Sequence, residues 1–405
     1  MRVARSLFLL LLLQFFDATA SAQIDPDHRE LIQVGYNAAF EGHQPISAYL
    51  FYYANQPGFL QHTNLTLRMA VAPTYLDSEL GISGALGENT GVGLGLAGGG
   101  FADSYVEIDQ GTYIPSQSFF GHGGEVRAAI YHLFNPGQRI PLNGVLRATA
   151  HYSVYADASD TAEDFELPHN RLTSSIRAGL RWGGREPVLF PRLAMELSIW
   201  YEGQWRSQDD YYGYDNDRRV EPYSHLFWAQ GTLIYTLPDS GHSFELSLSA
   251  GSSINADRFS AYRLGALLPL VSEYPLSIPG YYYQEFSADQ FVLVSANYLL
   301  PLEHSRHWFL NLNAATAVVD YLPGLAQPGN SLTGVGAGIL FSSKSWKILV
   351  GYAYGVDAIR SHGRGANSVG VLLQFDWGKA KSQQFDPTTP NLWRGFQRVF
   401  GLFGA

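Results

Sequence analysis

Gly93-Leu94-Gly95-Leu96-Ala97-Gly98 matches the glycine pattern that lets a helix N-terminus cradle a pyrophosphate. That chemistry needs a buried strand before the glycines and a helix after them. Here Gly91, Gly93 and Gly95 alternate with Val92, Leu94 and Leu96, so the segment reads as a strand with one side-chain-free face. Gly334, Gly336 and Gly338 repeat the arrangement opposite Val335, Ala337 and Ile339. Such a face leaves room in an interior or lets another backbone approach closely. The loop 209–219 gathers Asp209, Asp210, Asp215, Asn216 and Asp217, the oxygen donors that calcium takes. No glutamate closes it at the right distance, and it reads as a solvated acidic loop. The histidines lack metal-ligand spacing, no G-x-S-x-G elbow is present and there is no cysteine. No catalytic residue, metal site or cofactor is expected. A hydrolase trio assembled across strands stays an open alternative.

A different set of functional side chains recurs at every second position. Along 192–206, Arg192, Ala194, Glu196, Ser198, Trp200, Glu202, Gln204 and Arg206 alternate with Leu193, Met195, Leu197, Ile199, Tyr201, Gly203 and Trp205. Successive strand side chains point to opposite faces, so one face is ionic and the other apolar. A closed barrel in lipid shows the apolar face outward and keeps the ionic face in its lumen. Arg147, Arg177, Arg181 and Glu245 stand on equivalent faces of their own segments. The expected lumenal network is therefore Arg147, Arg177, Arg181, Arg192, Glu196, Glu202, Arg206 and Glu245. In a narrow lumen these groups would pair into a plug; in a wider one they would line a polar path.

The elements that must position them are strands almost throughout. Leu65, Leu67, Met69 and Val71 oppose Asn64, Thr66, Arg68 and Ala70, and comparable alternation recurs at 146–155, 175–182, 244–249 and 369–377. Segments of about 9–14 residues suit tilted strands crossing a bilayer. Aromatic residues gather near segment ends, as interfacial girdles do. The fold class expected is all-β: a transmembrane antiparallel β-barrel of about 16 strands, with a short C-terminal amphipathic helix. That helix is read from Leu392, Trp393, Phe396, Val399, Phe400 and Phe403, which recur at helical spacing.

Arg2 and Arg5, the apolar run 7–16 and Ala20-Ser21-Ala22 form an export signal. The run is about half the ~20 residues that a spanning helix needs. The organisation expected is a signal peptide over 1–22, an N-terminal lead-in over 23–43, an outer-membrane barrel over 44–378 and a tail over 379–405. Charged residues are 15% and aromatic residues 14%, a low charge content for a soluble domain. Loss of the leader takes the net charge from -10 to -11, which disfavours nucleic acid as a partner. Short turns are read at 135–137, 238–241 and 342–345, and long loops near 104–120, 156–169, 206–223, 269–289, 320–330 and 357–366. Their parity does not close. Either a strand between 224 and 289 escapes the count, or long loops leave both ends.

The stretch 262–302 resembles the bacterial surface-antigen barrel superfamily, which includes outer-membrane assembly factors and two-partner secretion pores. Tyr262-Arg263-Leu264-Gly265-Ala266 leads to Pro279-Gly280-Tyr281-Tyr282-Tyr283-Gln284-Glu285, and a strand closes with Asn297-Tyr298-Leu299-Leu300-Pro301-Leu302. The family carries an Arg-Gly-aromatic motif on a lumenal loop, then a strand with Glu and Arg, then four further strands. Four strands are also read here, near 307–319, 331–342, 345–357 and 367–377. The resemblance implies an inward loop over 269–289, with Pro279, Gly280, Tyr281 and Glu285 as its motif and Asn297 and Asn313 on facing strands. Pro279 stands where the family has arginine, Asn297 and Leu299 where it has its strand glutamate and arginine, and Asn313 near its aspartate. The family's loop-pinning ion pair is thus expected to be absent or rebuilt from neutral groups. The family's periplasmic repeats are not seen.

The function implied is a translocation or membrane-insertion pore in the outer membrane. A passive porin-like channel and a lipid-modifying enzyme are the alternatives. The partners implied are outer-membrane lipids and lipopolysaccharide, the barrel assembly machinery during biogenesis and a periplasmic protein.

Overall fold

Alternating strands of this kind can bury neither face alone, and they close on themselves. The computed structural model describes residues 27–383, apart from 44, 46, 139, 186, 187, 192, 267–273 and 362. The signal peptide and the helix read at 392–403 lie outside the described residues. Sixteen antiparallel strands form a closed barrel. In chain order they are β1 (Arg29–Ala39), β2 (Ser47–Pro57), β3 (Leu65–Ala72), β4 (Tyr75–Ile82), β5 (Thr90–Gly99), β6 (Phe119–Leu133), β7 (Leu142–Asp157) and β8 (Arg171–Gly184). The second half comprises β9 (Leu193–Arg206), β10 (Tyr223–Thr236), β11 (Ser243–Ile254), β12 (Phe286–Pro301), β13 (Trp308–Tyr321), β14 (Ser331–Ser342), β15 (Trp346–Arg360) and β16 (Gly363–Asp376). Each strand pairs with the next, and β1 closes onto β16 from Leu31↔Asp376 to Ala39↔Ser368. A short helix, α1 (Trp377–Gln383), follows β16.

The two faces divide as the alternation requires. Leu197 is 51% and Ile199 57% exposed on the outer surface, while Glu196 and Glu202, on the alternate positions of the same strand, are each 8% exposed. An apolar exterior around a closed barrel is the arrangement that lipid selects, because no strand edge is left without hydrogen bonds.

Two boundaries differ from the sequence reading. The barrel begins at Arg29 and not at 44, because β1 lies inside the stretch read as a lead-in. Its inward face is Leu31, Gln33, Gly35 and Asn37, with no charge to betray the alternation. The loop expected at 357–366 is mostly strand, since β15 and β16 run on to Arg360 and Gly363. The parity problem resolves because two strands, β10 and β11, lie between 223 and 254. All long connections then leave one end of the barrel, and both chain termini lie at the other, short-turn end. Long loops face outward and short turns face the periplasm in barrels of this kind.

Over the long-loop end the connections pack into a cap. Tyr105, Phe119, Phe165, Tyr212 and Val220 are buried together, with Phe259 against them. Glu107 at its centre meets Arg218 at 3.4 Å and Arg258 at 3.3 Å. The acidic loop read as solvated belongs to this cap. It forms a hairpin of Asp210–Tyr212 with Arg218–Val220, and Asp210 is buried against His169 and Arg171. The hydrogen bond to Asp210 raises the His169 pKa.

Candidate functional site

From β3 to β9 the wall turns charge inward. Arg127 on β6 donates to Asp77 on β4 at 3.2 Å and to Glu125 at 3.1 Å. Glu79 accepts from the Tyr131 hydroxyl at 2.8 Å. Across β8 and β9, Arg177 meets Glu202 at 2.6 Å and Arg181 meets Glu196 at 3.1 Å. Ser198 and Gln204 donate to the same two carboxylates at 3.0 and 2.8 Å. These four expected network residues do come together. Arg147 stands directly opposite Arg177 in register. Glu245 lies elsewhere, meeting Arg185 of the β8–β9 turn at 3.1 Å. Arg206 turns to the cap, where it meets the buried Asp257 at 2.9 Å. Arg192 lies outside the described residues. Partly exposed pairs of this kind contribute about 0–1 kcal/mol each, so they fix the direction of the wall charges more than they hold the barrel together.

His151 on β7 is held between two acids, with Nε2 2.7 Å from Asp103 and Nδ1 3.4 Å from Glu125. Both ring nitrogens face carboxylates, which leaves neither to take a proton from a serine. Among the described residues, no three His, Asp or Glu side chains gather as a metal site.

From β12 to β16 the wall is different, and a loop lies on it. The connection from β11 to β12 turns inward, and Ile278, Tyr281 and Tyr282 are fully buried. Gly280 adopts a left-handed backbone (φ 87°). A Cβ on Gly280 would lie 1.9 Å from the Gly355 nitrogen of β15, and one on Gly334 of β14 would lie 2.0 Å from the Pro279 oxygen. The loop backbone thus rests directly on strand backbone, where only glycine fits. The glycine face read at 334–338 therefore has its occupant at Gly334. The one at 91–95 serves side chains instead, because Gly93 gives room to Tyr131 and Gly95 to Arg127.

A buried fork fixes the loop. Arg360 Nη1 and Nη2 donate to Glu285 Oε1 and Oε2 at 2.7 and 3.0 Å, with both side chains fully buried. Glu285 Oε2 also accepts the Tyr282 N–H at 2.7 Å, and the Arg360 guanidinium lies 3.7 Å from the Tyr282 ring centre. Tyr281 donates to the Thr333 carbonyl at 3.1 Å and Tyr282 to that of Glu41 at 2.8 Å. The pinning pair is therefore neither absent nor neutral. It is an ion pair with the carboxylate on the loop and the guanidinium on the wall. Among the described residues, Asn297 and Asn313 do not hold the loop. They join Asn311 in an amide ladder, with Asn313 donating to Asn311 at 3.1 Å and Asn297 to Glu245 at 3.4 Å.

Sequence reasoning missed Arg360. A register shift between Gly355 and Ile359 breaks the alternation before it, so its inward direction cannot be counted from the strand. It also missed the β8–β9 turn. Leu189 and Phe190 of that turn reach Gln374 on β16 and Lys347 on β15, across the barrel from β8.

No family model matches the chain, and no curated protein sequence matches it. Solved structures do. CdiB from Acinetobacter baumannii superposes with a TM-score of 0.54 at 10% identity, over 86% of this chain and 60% of that one. CdiB from Escherichia coli gives 0.55 at 12% identity, over 86% and 63%. BamA from Haemophilus ducreyi lacking POTRA domains 1–3 gives 0.51 at 9% identity, over 91% and 78%. The chain spans about three-fifths of the length of the two CdiB chains. At these identities the likeness is one of fold, and the resemblance read at 262–302 holds at that level. The chain is an outer-membrane β-barrel of sixteen strands that shares its fold with CdiB and BamA.

Proposed function

We propose that the chain passes or inserts polypeptide at the outer membrane through a lumen that is closed at rest. The observation that carries this reading is the loop 274–285, drawn into the barrel and clamped by the Glu285–Arg360 fork against Gly334 and Gly355. A fully buried ion pair that holds a segment inside the bore favours a closed resting state over an open channel. A reversible cover suits a cargo that must displace it. The ionic wall from β3 to β9 then forms the polar side of the path. On this reading the partners are outer-membrane lipids and lipopolysaccharide, the barrel assembly machinery during biogenesis and a periplasmic protein that delivers cargo.

Planar-bilayer recording of the refolded mature chain tests the closed state. Brief, rare openings are expected of the whole chain and steady conductance of a variant lacking 274–285. A detergent-unfolded polypeptide added to the periplasmic side should block the open variant at millisecond dwell. Steady conductance from the whole chain would favour a passive channel, and a polypeptide without effect would remove the proposed cargo.

A further inference from the structure

The turn between β8 and β9 crosses the short-turn mouth and docks on the far wall. Leu189 is 3% exposed and packs among Leu299, Leu340, Leu349 and Leu372, from β12, β14, β15 and β16. Its N–H donates to Gln374 Oε1 at 2.8 Å, and Gln374 is itself fixed by Gln33 Nε2 of β1 at 3.0 Å. The Lys347 ammonium donates to the Leu189 carbonyl and, at 3.1 Å, to the Phe190 carbonyl. The wall therefore meets a backbone N–H, two backbone carbonyls and the Leu189 side chain, with the Phe190 ring packed beside it. The polar part of that set is main chain, which any sequence supplies; Arg185 adds a side-chain pair of its own with Glu245. Main-chain hydrogen bonds give such a site affinity for peptide backbone, and the pocket for one side chain gives it a preference. Phe190 adopts a left-handed backbone (φ 48°) that a bulky residue rarely takes, and this bend turns two consecutive carbonyls to one ammonium.

We infer that Gln374, Lys347 and the leucine pocket form a binding site for a bent peptide segment bearing an aliphatic residue, and that the chain's own turn occupies it in cis. The inference rests on the reading of the lumen as a path for polypeptide. Cargo arriving at the periplasmic mouth would take the site from the turn and so clear the bore. Gln33 and Gln374 are 1% and 4% exposed, so the amide pair is desolvated with the site filled. Removing the turn without a replacement leaves those groups wanting a partner.

The test uses the full mature chain, folded in detergent, with 188–191 replaced by Gly-Ser-Gly-Ser. The probe is a fluorescein-labelled synthetic peptide with the sequence of residues 185–191, followed by anisotropy. Saturable binding at least about tenfold tighter than to the unaltered chain is expected, because the turn no longer competes. Lys347→Met in the same background should weaken it about tenfold, as should Leu189→Asp in the peptide. Heat-modifiable gel mobility confirms that each variant is folded, and Gln374→Ala serves if Lys347→Met is not. Equal affinity for replaced and unaltered chains, or binding indifferent to both wall substitutions, would overturn the site. Bilayer conductance of a variant lacking both 188–191 and 274–285 separates the two ideas. Peptide binding without conductance keeps the site and removes the pore, and conductance without binding does the reverse.

Discussion

The inner wall of this barrel has two unlike halves. From β3 to β9 it carries Arg68, Asp77, Glu79, Glu125, Arg127, Arg177, Arg181, Glu196 and Glu202, paired mostly between neighbouring strands. From β12 to β16 its inward positions include Gly334, Gly336, Gly338, Gly351 and Gly355, with Ala315, Ala317, Leu340 and Leu372. Lys347 and Arg360 reach into that second half, and each holds a connecting segment against it. Charged side chains of adjacent strands cross-link a wall and keep other backbone away, because a desolvated charge is costly. A glycine face does the opposite and gives a docking floor for backbone. The difference teaches where the inward segments dock: on the glycine-lined half, with the charged half left facing the lumen.

The largest effect should come from Arg360→Ala, which leaves the Glu285 carboxylate buried without its partner. Breaking such a pair costs about 3–5 kcal/mol. Limited proteolysis of the folded barrel should then cut within 274–285, and Glu285→Leu added to Arg360→Met should restore protection. If Arg360→Ala stays fully protected, the fork is not what holds the loop.

Next comes a matched pair of glycine substitutions. A Cβ on Gly334 meets the Pro279 backbone, whereas one on Gly95 meets the Arg127 side chain, which has rotamers to yield. Gly334→Ala should raise loop proteolysis at a cost of about 1–3 kcal/mol. Gly95→Ala should leave the loop protected. Equal effects would erase the distinction between the halves.

The smallest effect belongs to Glu202→Gln on the ionic half. The Arg177 side chain is 30% exposed, so its pair contributes at most about 1 kcal/mol. Loop protection should not change. In a variant lacking 274–285, the reversal potential should shift toward anion preference, because one fixed negative charge has left the path. A shift in loop protection instead would mean that the charged half also bears on closure.

Much of the barrel was legible because lipid imposes period-two alternation on every strand it touches. Met69, Leu197, Leu246 and Val371 announce the outer face, and Arg177 with Glu202 the inner one. The glycine face at 334–338 was legible as open lumen or a close approach of backbone, and the inward loop around Gly280 by resemblance; that the two meet was not. Arg360 was not, because a bulge removes the periodicity that would aim it. Strand β1 was missed because its inward face is neutral, and the β8–β9 turn because its contacts lie across the barrel and leave no local signature. Arg206 and Glu245 were read as part of the lumenal network, but their partners, Asp257 and Arg185, stand in connections that the alternation does not reach.

The placement of the loop on the glycine half is open to one direct measurement. The chain has no cysteine, so a single Tyr282→Cys variant carries a unique thiol. Tyr282 is fully buried in the lumen, whereas Asp215 is exposed in the cap. A membrane-impermeant maleimide applied to intact cells should label Asp215→Cys quickly and Tyr282→Cys slowly. Adding Arg360→Ala to the Tyr282→Cys variant should bring labelling to the fast rate. Fast labelling of Tyr282→Cys alone would contradict a clamped lumenal loop.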